Sequence, residues 1–174
     1  MATEQALYDT AIAFINAFAN LEANTHTSLR AASCTHIFAP SSINPPQPMT
    51  NEDFAAHLNK LDSIATGFPV TPKEIHVNFP KRQVIIWASA VLNFREELKG
   101  LKEGDDGKEW DYVGEYMFLL DVDEEGKICR IVEFLDSLGT ERVRVLLAKA
   151  WKNAGATAKH ISGTHVAGSN TKFM

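Results

Sequence analysis

Three carboxylates of this 174-residue chain, Glu115, Glu133 and Asp136, stand within or at the end of the apolar runs of WDYVGEYMFLLDVDEEGKICRIVEFLDS from Trp110 to Ser137. A carboxylate whose neighbours are drawn to the core must face solvent, find a partner or line a cavity. In the third case burial raises its pKa, and a carboxyl so tuned can carry a proton to or from a carbon next to a carbonyl. Glu133 and Asp136 are three apart and so face opposite sides of a regular strand. Glu133 shares its side with Cys129, Ile131 and Leu135, which points it toward the inner, helix-covered face of a sheet. The alternative is a structural ion pair with Arg30 or Arg95. Asp136, at a strand end before a helix, reads as a cap or a rim residue, and Glu115 alternates with Val113, Met117 and Leu119.

Of six histidines, His36 lies in a short extended segment with Ile37 and Phe38, and His57 lies one turn along a helix. Each is a candidate to line a cavity, with an ordinary buried, hydrogen-bonded histidine as the alternative. His26 and His76 sit among polar residues and read as surface, while His160 and His165 fall in a C-terminal tail. Trp87, Trp110, Tyr112 and Tyr116 carry polar tips on apolar bodies, which suits a flat, partly oxygenated apolar molecule as well as it suits a core. No H-E-x-x-H or comparable spacing occurs, so no catalytic metal is expected. The DVDEEG segment opens like a calcium loop, but its twelfth position is Val132 and its flanks are strands, so it reads as a hairpin turn. G-x-S-x-G, G-x-G-x-x-G and Walker A patterns are absent, so no nucleotide cofactor is expected.

The elements that must hold these residues follow from periodicity. Leu7, Ala11, Phe14, Ile15, Phe18 and Leu21 mark an amphipathic helix from about Thr3 to Ala23. A short second helix is expected over Asn24–Ala32, and T-N-E-D at Thr50 opens a third through a capping box. Strands follow over Glu74–Phe79 and Arg82–Glu96, then the acidic-turn hairpin, then a helix over Thr140–Asn153 with Val143, Leu146, Leu147, Ala150 and Trp151 on one face. Residues 154–174 lose the pattern and read as a flexible tail after a single domain over 1–153. This order is α+β, with a curved antiparallel sheet wrapped around the N-terminal helices.

A formal net charge of −5 and no basic stripe exclude a nucleic-acid surface. Apolar runs such as Val84–Leu92 are too short to span a membrane, and the first residues lack a secretory pattern, so a cytoplasmic protein is expected. Two distant cysteines, Cys34 and Cys129, are expected to be reduced thiols.

The helix-rich N-terminus, the CTHIFAPSS segment, and W-D-Y-V-G-E-Y-M-F followed by G-K-I-C-R-I-V-E-F-L-D-S resemble the fungal SnoaL-like proteins of the nuclear transport factor 2-like superfamily, over roughly Thr3 to Asn153. The resemblance implies a cone-shaped α+β barrel, usually a homodimer through its convex sheet face. It also implies cofactor-free acid–base chemistry in a pocket, as in polyketide cyclases, ketosteroid isomerases and fungal isomerases. Carried over by position, Glu133 is the main acid–base group, with His36 and Arg30 entering from the N-terminal segments and Tyr112 and Trp110 shaping the pocket. The central strands lack the histidine pair of scytalone dehydratase. The expected activity is an isomerase, cyclase or dehydratase of a polyketide- or terpenoid-type metabolite. In it His36 or Tyr112 would bond the oxyanion, Arg30 would orient the carboxylate or substrate, and Trp110, Tyr112, Glu115, His57, Trp87 and Asp136 would contact the ligand. A non-catalytic ligand-binding or dimeric module, and an epoxide or lactone hydrolase, remain the alternatives.

Overall fold

The computed structural model describes residues 3–101, 103 and 105–162, with side chains through residue 155. Helix α1 (Glu4–Asn16) starts where the Thr3 hydroxyl accepts the Ala6 N–H, and it buries Leu7, Ala11, Phe14 and Ile15. After α2 (Ala23–Ser28) comes strand β1 (Arg30–Ala39). Helix α3 (Asn51–Asp62) opens on the expected capping box, in which Thr50 and Asp53 satisfy one another's backbone N–H, and it buries Phe54 and Leu58. Strands β2 (Ala65–Gly67), β3 (Val70–Asn78), β4 (Gln83–Val91) and β5 (Asn93–Phe94), the short helix α4 (Glu96–Lys99), strands β6 (Val113–Val122) and β7 (Ile128–Leu135), and helix α5 (Ser137–Ser162) complete the chain.

The main sheet has the order β1-β7-β6-β4-β3. The pairs β3/β4, β4/β6 and β6/β7 are antiparallel, as the hairpin pattern predicts, whereas β1 joins β7 in parallel and puts Phe38 opposite Glu133. Strand β1 corrects the expected second helix, which stops at Ser28. Its inner positions are Arg30, Cys34 and His36 with small and polar residues between, so no period-2 apolar signal betrays it. Pairing holds it there, with β7 on one edge and a reciprocal His36–Met49 backbone bridge on the other. The last helix likewise runs past Asn153 to Ser162, and the remainder of the expected tail, 163–174, lies outside the described residues.

Strand β6 alternates strictly: Gly114, Tyr116, Phe118, Leu120 and Val122 are buried, while Val113, Glu115 and Met117 are exposed. The buried rows of β4 and β6 meet α1 and α3 in one core around Phe14, Phe18, Phe54 and Phe118, giving the cone-shaped α+β barrel. A register shift between Asp121 and Val122 puts both Ile128 and Ile131 inside. Cys129 therefore does not share Glu133's side; it is half-buried with its thiol on the Asp121 carbonyl. The acidic turn is an ordinary hairpin turn in which Asp123 Oδ1 accepts the Glu125 and Lys127 N–H groups. Among the described residues no helix is long and apolar enough to cross a membrane.

Candidate active site

Glu133 projects from the middle of β7 into the interior and is only 5% exposed, with Phe118 of β6 and Phe38 of β1 as its register partners. Its Oε2 lies 2.9 Å from His36 Nε2, and His36 Nδ1 lies 3.2 Å from Arg30 Nη2. A guanidinium has donors and no acceptor, so Nδ1 must be the accepting nitrogen of His36. The ring is then neutral, its proton sits on Nε2, and Nε2–H donates to the Glu133 carboxylate. Burial and the neighbouring Arg30 charge both hold the His36 pKa well below its ordinary value, in keeping with this tautomer. The contact is a hydrogen bond to a carboxylate rather than an ion pair, and it leaves Glu133 Oε1 without a hydrogen-bond partner among the described residues. Burial pushes the Glu133 carboxyl up to about 7, against the opposing pull of His57 and Arg30.

The histidine is fixed by aromatic stacking as well as by its bonds. Phe38 stacks on it at 4.7 Å and Phe54 at 4.4 Å, both within 20° of parallel. Arg30 lies over the Phe54 ring with Cζ 3.9 Å from the centroid. His36 thus has no donor left for a ligand oxygen, which corrects the expectation that it would bond an oxyanion: it positions Glu133 instead. Arg95, the other expected partner of Glu133, donates to the Asp62 carbonyl.

The remaining candidates divide between the interior and elsewhere. His57 is half-buried, with its ring 5.9 Å from Phe38 and 6.1 Å from Phe54, and burial lowers its pKa. Tyr112 is buried, and its hydroxyl lies 2.8 Å from that of Tyr116, a residue that sequence reasoning noted as aromatic without placing it in the site. A Cβ on Gly114 would fall 2.2 Å from the Tyr112 hydroxyl, so the glycine in Y-V-G-E-Y is the local signal for this pair. Trp110 is buried away from this group, edge-on to Phe94 at 5.1 Å and beneath Lys149 of α5. Trp87 and Glu115 lie on the outer face, where the Trp87 indole N–H and Lys73 both donate to the Glu115 carboxylate, and with Tyr116, Met117, Phe134 and Asp136 they line a second groove of about 320 Å³. The reason is register: Ser89 pairs with Glu115 and Trp87 with Met117, all on the side opposite Phe118. Asp136 is exposed and caps α5 by accepting the Leu138 N–H at 3.0 Å. His76 is exposed as expected and meets Glu74.

His26 overturns its surface reading. It is fully buried, edge-on to Phe18 at 4.2 Å and Phe54 at 5.4 Å, because α2 lays one side against α3. Its neighbours Asn24, Thr25 and Thr27 are polar only because the six-residue helix has a wet side. Burial first, then Arg30 and His36, pushes its pKa down to about 3.

Beside this group a groove of about 580 Å³ is walled by Phe38, Ser41, Asn44, Pro45, Gln47 and Pro48 among others. The Phe38 ring stands between that groove and His36. Among the described residues no three His, Cys, Asp or Glu side chains gather as a metal site would require.

No protein-family model matches the chain. It is 27% identical over 139 residues to austinoid biosynthesis cluster protein H of Aspergillus calidoustus, covering 78% of this chain and 86% of that one. The solved structure of AusH from Aspergillus nidulans superposes with a TM-score of 0.65 at 26% identity, over 79% of this chain and 88% of that one. That of BvnE pinacolase from Penicillium brevicompactum superposes with a TM-score of 0.67 at 19% identity, over 81% and 92%, a likeness of fold. The chain is thus similar to AusH in both sequence and fold, and it shares the α+β fold of the ketosteroid isomerase-like structures.

Proposed function

We propose that this protein is a cofactor-independent isomerase or cyclase of a secondary metabolite, with Glu133 as the group that moves the proton. The observation that carries the reading is the buried line Arg30–His36–Glu133, in which His36 Nε2–H fixes one carboxylate oxygen and leaves Oε1 for chemistry. Oε1 takes a proton from a carbon next to a carbonyl. The C–H electron pair moves into the carbonyl to give an enolate, and the same carboxyl returns the proton at the product carbon. A carboxyl pushed up to about 7 is matched to both halves of that exchange near neutrality. Tyr116 and Tyr112 hydrogen-bond one another through hydroxyls, and one of those hydroxyl protons is left for a ligand oxygen. The similarity to a protein of an austinoid biosynthesis cluster supports a secondary metabolite as the substrate class.

An apolar ligand would approach from the groove beside Phe38 and displace that ring from His36. The aromatic packing of Phe38 and Phe54 on His36 favours a second reading, a ligand-binding module without turnover. The hydrolase alternative needs a carboxylate pair about an arginine, whereas Arg30 bonds a histidine. The test is proton exchange: enolisable polycyclic ketones incubated with the protein in deuterium oxide exchange their α-protons, and Glu133→Gln slows this at least about a hundredfold. Ketone binding without exchange supports the module instead.

The outer sheet face exposes Val113 (64%), Phe134 (50%) and Met117 (48%) beside Trp87 and Val91. A largely apolar face of this kind, with the Lys73–Glu115 pair set into it, needs a cover, and a second copy of the chain would supply a self-complementary one.

A further inference from the structure

The Arg30 guanidinium is 5% exposed, yet only Nη2 has a hydrogen-bond partner; the buried Nε and Nη1 have none among the described residues. Nor does Arg30 make a salt bridge there, since its one bonded neighbour is the neutral His36 ring. His26 is fully buried with both ring nitrogens equally unpartnered. The two residues share the Phe54 ring, Arg30 at 3.9 Å and His26 at 5.4 Å, so both sets of unmade bonds belong to one region of the interior. Buried polar atoms in folded proteins find partners, and those without one in the protein are met by ordered water or by a ligand.

Charge conservation says what that something is. At rest the interior holds Arg30 as a cation and Glu133 as its anion, separated by neutral His36. When Glu133 takes a proton from carbon it becomes neutral, and the negative charge passes to the ligand's oxygen. Arg30 is then a buried cation whose only fitting counter-ion is that oxygen. We infer that Arg30 Nε and Nη1, with His26 beside them, form the subsite for the anionic oxygen of the ligand, and that the preferred ligands are acidic enols such as 1,3-dicarbonyls. This inference rests on the proton-transfer reading of Glu133. His26, neutral, donates from one ring nitrogen to the same ligand oxygen or its neighbour, while Phe54 keeps water from the face of the guanidinium.

The experiment is calorimetric titration of the full chain at neutral pH with 1,3-cyclohexanedione, an enolate under those conditions, and with 2,2-dimethyl-1,3-cyclohexanedione, which cannot form that enolate. The wild type is expected to bind the enolate at least about tenfold tighter than the blocked dione. Arg30→Met and His26→Phe each abolish the preference, the latter by placing a benzyl ring among Phe14, Phe18 and Phe54. Equal binding of the two diones, binding of neither, or a preference that survives in folded His26→Phe overturns the inference. Should Arg30→Met fail to fold, the wild-type comparison and His26→Phe still decide. Failure of the catalytic reading looks different: Glu133→Gln would keep normal α-proton exchange while the dione preference persists.

Discussion

Replacing Glu133 by glutamine should make the protein more stable while removing its activity, and the size of the gain can be worked from the site. The carboxyl is pushed from 4.5 in the unfolded chain to about 7 in the fold by burial. The folded state therefore binds the extra proton between those two values, and stability falls as pH rises through that window. Each pKa unit is worth about 1.4 kcal/mol, so above pH 7 the ionised carboxylate costs the fold about 3 kcal/mol. Glutamine has the same shape and no charge, and its Oε1 still accepts the His36 Nε2–H. Glu133→Gln should match the wild type at pH 4, pull ahead between pH 4.5 and 7, and be about 3 kcal/mol more stable at pH 8. For a chain of this length that is a rise in melting temperature of roughly 6–12 °C. Urea unfolding followed by circular dichroism at pH 4, 5.5 and 8 measures it. A variant less stable than wild type at pH 8, or a difference that does not change with pH, refutes the picture of a desolvated carboxylate held for function.

Acid should act through His26 with the opposite sign. Its folded pKa is depressed to about 3 from 6.5, so only the unfolded chain takes its proton below pH 6.5 and stability is lost as pH falls. At pH 5 this amounts to about 2 kcal/mol, and His26→Phe should remove close to one proton from the pH slope of unfolding between pH 6.5 and 5; an unchanged slope would place His26 in contact with water. Gly114→Ala puts a methyl carbon 2.2 Å from the Tyr112 hydroxyl. It should break the Tyr112–Tyr116 bond and lower the exchange rate more than the melting temperature, read by exchange kinetics beside calorimetry. Light scattering at micromolar concentration should give the mass of a dimer, and Phe134→Glu with Met117→Glu should give a monomer of unchanged secondary structure; a monomeric wild type removes the second copy from the account.

The hairpin around Glu133 was legible because β6, and β7 from Ile131 onward, follow the simplest rule in sheets, alternation about a glycine-ended turn. The inward aim of Glu133 follows from it, with Ile131 on the same side. Strand β1 was legible only as a short extended segment around His36–Phe38, because its inward positions are an arginine, a cysteine and a histidine, residues that a hydrophobic period does not detect. Arg30 and His36 are nonetheless two of the three members of the buried line, so the feature that hid the strand is the feature that makes the site. Arg30 was picked out as a residue type, but its true partner, His36, comes from a parallel pairing that brings β1 beside β7 across the whole chain. The face that Trp87 and Glu115 present was not legible, because aromatic and acidic residues on an outer face read the same as inward ones until register is known. His26 was missed because a one-and-a-half-turn helix is too short for its period to emerge against Asn24, Thr25 and Thr27.

The central claim is that Glu133 is a proton carrier poised near neutrality by its surroundings. Carbon-13 NMR of protein labelled at the glutamate side-chain carboxyl carbon, with Glu133→Gln to assign the resonance, follows that one group through pH 3–9. A midpoint near 7 is predicted, shifting down in His26→Phe by no more than a few tenths of a unit because His26 is already neutral there. A midpoint near 4.5, the value of a solvated glutamate, would contradict the account.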